Sequence, residues 1–279
     1  MYLYSKINSM QITTLVDNHV NSGSFCAEHG LSLYLETDSN KKILFDTGQS
    51  DLFYRNAVKM GIDLSQAEIL VISHGHYDHT GGLGKFLEIN QNALIYLREE
   101  ALQTKTHKGR YIGIPKEILA EAQSNGRVIY TSDSVTPLTS DMAIICTPVR
   151  DLQQMAGFYT EENGQQEPDL FKDEQYLVYD HGGGTTLITG CSHKGIIRII
   201  EDCEAITGKK VLEVAGGLHT SGSSATVVSD LAAMLLKSNI KKFAAGHCTG
   251  IESYALLKRI LGDRIFYNYT GNRFNFQEK

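Results

Sequence analysis

The chain has 279 residues, 42% of them apolar and 21% charged, an ordinary balance for a globular protein that excludes a disordered or fibrous one. With 26 basic against 32 acidic side chains the formal charge is −6 and no long run of one sign occurs, which argues against a nucleic-acid surface built on clustered Lys and Arg. The cysteines, Cys26, Cys146, Cys191, Cys203 and Cys248, are odd in number and scattered without CxxC spacing, so no disulfide framework is expected. No stretch approaches the roughly 18 apolar residues of a membrane span, and MYLYSKINS lacks the basic start and apolar core of a secretory leader, so the expected location is the cytoplasm.

In chain order, short apolar runs predict strands at 11–16, 31–36, 42–46 and 68–73, with a helix from Asp51 to the C-capping Gly61 between the last two. The second half repeats the interleaving. Strands are predicted at 142–147, 175–180, 184–190, 211–215 and 241–246, and helices near 195–206, 225–238 and 250–261. A layered α/β architecture follows. No Pro/Gly/Ser-rich linker divides the chain, so a single domain over 1–279 is expected. The stretch 150–173, containing the polar TEENGQQEPD, reads as a long irregular loop able to act as a lid.

The densest chemistry is SHGHYDHTGG at 73–82, directly after the strand that ends at Ile72. Neutral imidazole and carboxylate suit zinc, iron and manganese, and a strand-end turn can aim several side chains at one point. His74, His76, Asp78 and His79 are therefore candidate ligands of one or two divalent ions, zinc first, with manganese or iron as alternatives. A histidine-rich surface loop is the bland alternative, made poor by the density and by the strand before it.

The spacing H-x-H-x-D-H resembles the signature loop of the metallo-β-lactamase superfamily, supported by LFDTG at 44–48 and AAGHCTG at 244–250. The resemblance implies an αββα sandwich, two mixed sheets covered by helices, with metals at one edge. It also implies that His74 and His76 hold one ion and that Asp78, His79 and His247 hold a second. Two departures stand out. CTPVRD at 146–151 lacks the histidine expected of a TPGHT-like turn, and His193 in ITGCSHKG is its natural substitute, unless it merely caps the helix that follows. Cys191 stands where an aspartate commonly bridges the metals; it could ligate as thiolate, lie beside the site, or pack as a small hydrophobe. Together with EHGLS at 28–32 and GGLHT at 216–220, these features resemble the dihydropterin–ribofuranosylaminobenzene phosphate synthase-like group, which also includes relatives described only as metal-dependent hydrolases.

Further residues follow from position. His219 ends a strand at the same edge as His247 and could donate a proton, or be an ordinary turn histidine. Asp46 could accept the second N–H of a ligand histidine, or cap a turn. Glu174 could reach the site from the far end of the loop, and Lys194 and Arg198 could attract an anionic substrate, or simply be solvated. His29 and His181 read as structural. The simplest chemistry is hydrolysis of a small, phosphorylated or pterin-like substrate by water acidified to a pKa of about 7 on the metal, with Asp78 and His219 as catalytic residues. The alternatives are a synthase-type transferase and a metal-binding protein whose catalysis has lapsed. No nucleic-acid or membrane partner is expected, and nothing in the chain specifies an oligomeric state.

Overall fold

The computed structural model describes residues 8–118, 120, 126–149, 157–162 and 164–276. Two seven-stranded sheets lie face to face. The first runs Arg273–Phe274, Met10–Val16, Ser32–Thr37, Lys42–Phe45, Ile69–Val71, Leu94–Leu97, Val128–Tyr130. The second runs Ile265–Tyr267, Lys242–Gly246, Val211–Gly217, Thr185–Ile188, Tyr176–Asp180, Met142–Ile145, Val135–Pro137.

Side-chain alternation along these strands builds three apolar layers. Leu33, Leu35, Ile43, Phe45 and Val71 meet Ile144, Leu177, Tyr179, Ile188 and Ala244 between the sheets. The alternate residues Tyr34, Leu44 and Leu70 pack under Phe53 and Ala57 of the helix Leu52–Lys59 and Phe86 of the helix Leu83–Ile89. On the other side Val178, Leu187, Val214 and Phe243 pack under Ile199 of Ile196–Thr207, Ala232 of Ala225–Lys237 and Leu257 of Ile251–Leu261. Because both faces of each sheet are covered, the strands read as continuous apolar runs rather than as alternating ones. The result is the αββα sandwich.

The central strands place the chemistry. Lys42–Phe45 and Ile69–Val71 are parallel, as are Thr185–Ile188, Val211–Gly217 and Lys242–Gly246. Met10–Val16 shares the direction of Lys42–Phe45, because each is antiparallel to Ser32–Thr37 between them. Their carboxyl ends open along one rim, where turns free of sheet pairing can carry polar groups, the usual position of α/β sites.

One expectation is corrected. The described part of 150–173 is not an irregular loop: Phe158–Glu162 and Gln165–Pro168 form an antiparallel hairpin, and the first of these strands pairs with Thr104–His107. With Arg110–Tyr111 they make a four-stranded sheet that carries Phe158 to the rim. Long-range pairing with Thr104–His107 holds the strand from Phe158 to Glu161, and Gln165 and Gln166 pair in turn with Glu162 and Glu161, a strand conformation that their composition alone does not favour. Residues 150–156 and 163 of the predicted loop lie outside the described residues.

Candidate metal centre

Each predicted ligand lies past the end of a rim-pointing strand, Asp78 and His79 on the short helix Tyr77–Thr80 and His247 at the start of the 3-10 turn His247–Thr249. After Ile69–Val71 the chain bends through Gly75, where an added Cβ would stand 2.3 Å from the Ala101 carbonyl oxygen; no larger residue fits without displacing backbone. The backbone is left-handed at Asp46 (φ 59°), Ser192 (58°), His219 (51°) and His247 (50°). Non-glycine residues in that region cost about 1–3 kcal/mol each and gather at functional sites.

The first group of donors is His74, His76 and His193. Nε2 of His74 lies 3.0 Å from Nδ1 of His76 and 3.3 Å from Nε2 of His193. The second is Asp78, His79 and His247. Nε2 of His79 lies 3.2 Å from Nε2 of His247, and Oδ2 of Asp78 lies 3.3 Å from the His247 nitrogen and 3.7 Å from the His79 nitrogen. Zinc–nitrogen bonds of 2.0–2.1 Å in a tetrahedron place neighbouring donors about 3.3–3.4 Å apart, so both groups have the spacing of ligands around an ion.

Proton bookkeeping agrees. Asp46 accepts hydrogen bonds from the Ser73 backbone N–H, the Ser73 hydroxyl and Nδ1–H of His79, the last two at Oδ2 and each 2.7 Å long. Ser73 Oγ, its proton committed to Asp46, accepts from Nδ1–H of His74 at 2.9 Å. The facing Nε2 atom of His74 is thus left as a lone pair, and that of His79 becomes one once its ring gives up the second proton, as ligation requires. Asp46 thus orients the His79 ring directly and the His74 ring through Ser73. The donor set fits a metal.

Burial drives His74 and His193 well below the ordinary histidine pKa and takes His76 to about 3. Burial also disfavours charge on His79, but Asp78 and Asp46 outweigh it and raise that ring to about 9. Asp17 is pushed up to about 6 by burial, against the opposing pull of His247, whose backbone N–H it accepts at 2.7 Å.

Glu174 does not point at the ion positions. Its carboxylate accepts the backbone N–H of His193 at 2.6 Å and of Lys194 at 3.0 Å, with the Tyr176 hydroxyl donating at 2.6 Å, so it fixes the turn that presents His193. Lys194 does not serve an anion either: it is buried, and its Nζ donates to the carbonyls of Thr147 and Glu174. Cys191 is buried with Sγ 3.2 Å from Nε2 of His79, in one group with His74 and His79, so the thiol stands among the ligands and not in an apolar layer. His219 sits over His193, ring centroids 4.3 Å apart, and its Nδ1 is buried without a partner.

Several residues escaped sequence reasoning. His29, read as structural, lies 3.1 Å from Oδ2 of Asp78. Cys248 groups with Cys191 and His219. Burial would raise the Cys248 thiol, but hydrogen bonds with Cys191 and His219 and the charge of His247 hold it well below its ordinary value. Phe171 stacks on His193 at 4.1 Å with rings 4° from parallel. Lys105, 1% exposed, bridges Asp169 at 2.8 Å and Asp173 at 3.0 Å, and Asp173 also accepts the Gly75 N–H at 2.7 Å. These share no local motif, and of them only Cys248, just past the apolar strand Lys242–Gly246, carries a signal readable in the sequence. His181, by contrast, is structural as read, paired with Glu213 at 3.0 Å away from the rim. All five cysteines are free.

A cavity of about 220 Å³ opens on this cluster, lined by His29, His76, Tyr77, Asp78, His107, Ile112, Phe158, Cys191, His193, His219 and Cys248. Among the described residues no helix is long and apolar enough to cross a membrane.

An αββα sandwich with H-x-H-x-D-H on the rim and two more histidines delivered from distant strands defines a class, and residues 27–247 match the metallo-β-lactamase superfamily model: the chain belongs to that superfamily. Among individual proteins, it is 29% identical over 268 residues to the 7,8-dihydropterin-6-methyl-4-(β-D-ribofuranosyl)-aminobenzene-5'-phosphate synthase of Methanocaldococcus jannaschii, covering 89% of this chain and 90% of the relative. An uncharacterised protein of the same organism is 31% identical, covering 93% and 98%. The crystal structure of Tm1679, described as a metal-dependent hydrolase of the β-lactamase superfamily, superposes with a TM-score of 0.84 at 32% identity, over 95% of this chain and 98% of that one. The superfamily usually binds divalent metals, and the ligand groups described above are of that kind.

Proposed function

We propose that the chain is a dinuclear metal-dependent hydrolase acting on a small substrate, with His74, His76 and His193 holding one divalent ion and Asp78, His79 and His247 the other. The observation that carries this reading is the mutual approach of ring nitrogens from distant segments, 3.3 Å between His74 and His193 and 3.2 Å between His79 and His247. Zinc suits the nitrogen-rich set best, with manganese or iron as alternatives. A divalent ion there supplies Lewis acidity and acidifies a coordinated water.

The chain's own groups supply the rest. Asp78 orients the attacking water through the carboxylate oxygen not held by His29. His219, which also lines the cavity, donates a proton to the leaving group; burial works against its charge, yet Cys248 holds its pKa above the ordinary histidine value. Phe158 and Ile112 exclude water and offer the substrate an apolar wall. The five free cysteines suit a reducing compartment such as the cytoplasm.

A second reading is the synthase-type transfer named for the 29% identical relative, favoured by the aromatic wall at Phe158. Purified metal-loaded protein separates the two. Turnover of single phosphoester, ester or lactone substrates supports hydrolysis. Product formed only when a dihydropterin diphosphate and an aminobenzene ribotide are supplied together supports transfer, and inactivity toward both panels would leave a metal-binding protein.

A further inference from the structure

Asn18 lies immediately past the strand Met10–Val16, where Asp17 already holds the backbone of His247. Its side chain touches three groups. Oδ1 is 3.1 Å from the Gly30 backbone nitrogen and 2.9 Å from Nδ1 of His247, and Nδ2 is 3.2 Å from Nδ1 of His29.

These contacts determine where the protons sit. A backbone N–H only donates, so the atom facing Gly30 must be the amide oxygen, which settles the orientation of the side chain. An amide oxygen only accepts, so Nδ1 of His247 carries the proton, and Nε2, facing His79 at 3.2 Å, is a lone pair. The amide nitrogen only donates, so Nδ1 of His29 is the acceptor and its proton is on Nε2, which donates to Oδ2 of Asp78 at 3.1 Å.

We infer that Asn18 is a positioning residue that sets the tautomers of His247 and His29 together, turning one imidazole into a metal ligand and the other into the hydrogen-bond donor that holds Asp78. The inference rests on the proposed ligand roles of His247 and Asp78, but the tautomers themselves exist without metal. No acid could replace Asn18 equivalently. A carboxylate would still accept from Gly30 and His247 but would draw a second proton onto Nδ1 of His29, leaving a cation between two carboxylates in place of a neutral ring of fixed tautomer.

The test uses the full-length protein, with Asn18→Ala and Asn18→Asp. Two-bond ¹⁵N–¹H ring correlations on metal-free protein report tautomers directly. Wild type should show His247 protonated at Nδ1 and His29 at Nε2, and Asn18→Asp should keep the first and protonate both nitrogens of His29. Titration with zinc against a chromophoric chelator should then show the second of two ions weakened about 10–100-fold in Asn18→Ala, within the range for lost partners of a ligand imidazole, with the first ion unchanged. Should Asn18→Ala not fold, the Asn18→Asp ring spectrum still decides. Wild-type tautomers in Asn18→Asp, or unaltered binding of the second ion in a folded Asn18→Ala, overturns the inference. Wild-type protein that binds no zinc while showing the expected tautomers would instead overturn the metal reading and leave the tautomer assignment standing.

Discussion

Nε2 of His74 and Nε2 of His193 face each other across 3.3 Å although 119 positions separate them in the chain. Two neutral imidazoles at that distance can share one proton between the facing nitrogens, or give it up and bind a common ion. His74→Ala and His193→Ala should each remove about one equivalent of bound metal per chain by elemental analysis while leaving the far-ultraviolet circular dichroism unchanged. Full metal content in His193→Ala would take His193 out of the centre and restore its reading as a helix-start residue.

The Lys105 ammonium is locked between Asp169 and Asp173, all three buried, and Asp173 reaches on to the Gly75 N–H between two ligands. Removing the cation leaves two carboxylates buried beside one another, which costs about 3–5 kcal/mol. Lys105→Met should lower the unfolding free energy by that order in urea and weaken the first ion through displacement of Gly75. A loss below about 1 kcal/mol would show the triad to be dispensable.

The pH dependence of the metal-free protein has two limbs of opposite sign. Burial keeps His74, His76 and His193 neutral in the fold, whereas the unfolded chain protonates them near pH ~6.5, so stability falls as pH drops below that value, on toward the His76 value of about 3. His79, raised to about 9, contributes stability that is complete below about 6.5 and disappears as pH rises through about 9. Melting temperatures in chelator should therefore peak near neutrality. Metal must displace the His79 proton, so loading near pH 7 should release protons, detectable by calorimetry in buffers of different ionisation enthalpy. A melting temperature climbing steadily between about pH 7 and 9 without metal contradicts this account.

Cys191 stands 3.2 Å from Nε2 of His79, close enough to ligate, yet burial holds its thiol well above the ordinary value, ahead of the contribution from Cys248. With two complete ligand groups around it, the thiol is not needed as a ligand. Cobalt-substituted wild type should lack a thiolate-to-metal charge-transfer band, and Cys191→Ser should keep the same ligand-field spectrum and metal content. A band present in wild type and absent in Cys191→Ser would make the sulfur a ligand.

The layered fold was legible because strands such as Lys42–Phe45 and Tyr176–Asp180 are buried on both faces and helices such as Ile251–Leu261 carry a clear apolar stripe. The hairpin Phe158–Pro168 was not, because its strands are polar and owe their form to pairing with Thr104–His107. At the site, His74, His76, Asp78 and His79 stand together in the sequence and announce themselves, whereas His193 and His247 are proposed as ligands through the resemblance to the superfamily pattern. Glu174, Lys194, His29 and Asn18 are ambiguous in sequence, since a carboxylate near a metal loop can as well fasten a backbone turn as approach an ion. Only the course of the chain in space distinguishes the two.

The most direct test is anomalous scattering from crystals of protein purified without chelator, recorded on both sides of the absorption edges of zinc, manganese and iron. The account predicts two ions about 3.5–4 Å apart, one bonded to His74, His76 and His193 and the other to Asp78, His79 and His247. An absence of peaks in metal-supplemented crystals, or a peak whose ligands exclude both His193 and His247, would contradict it.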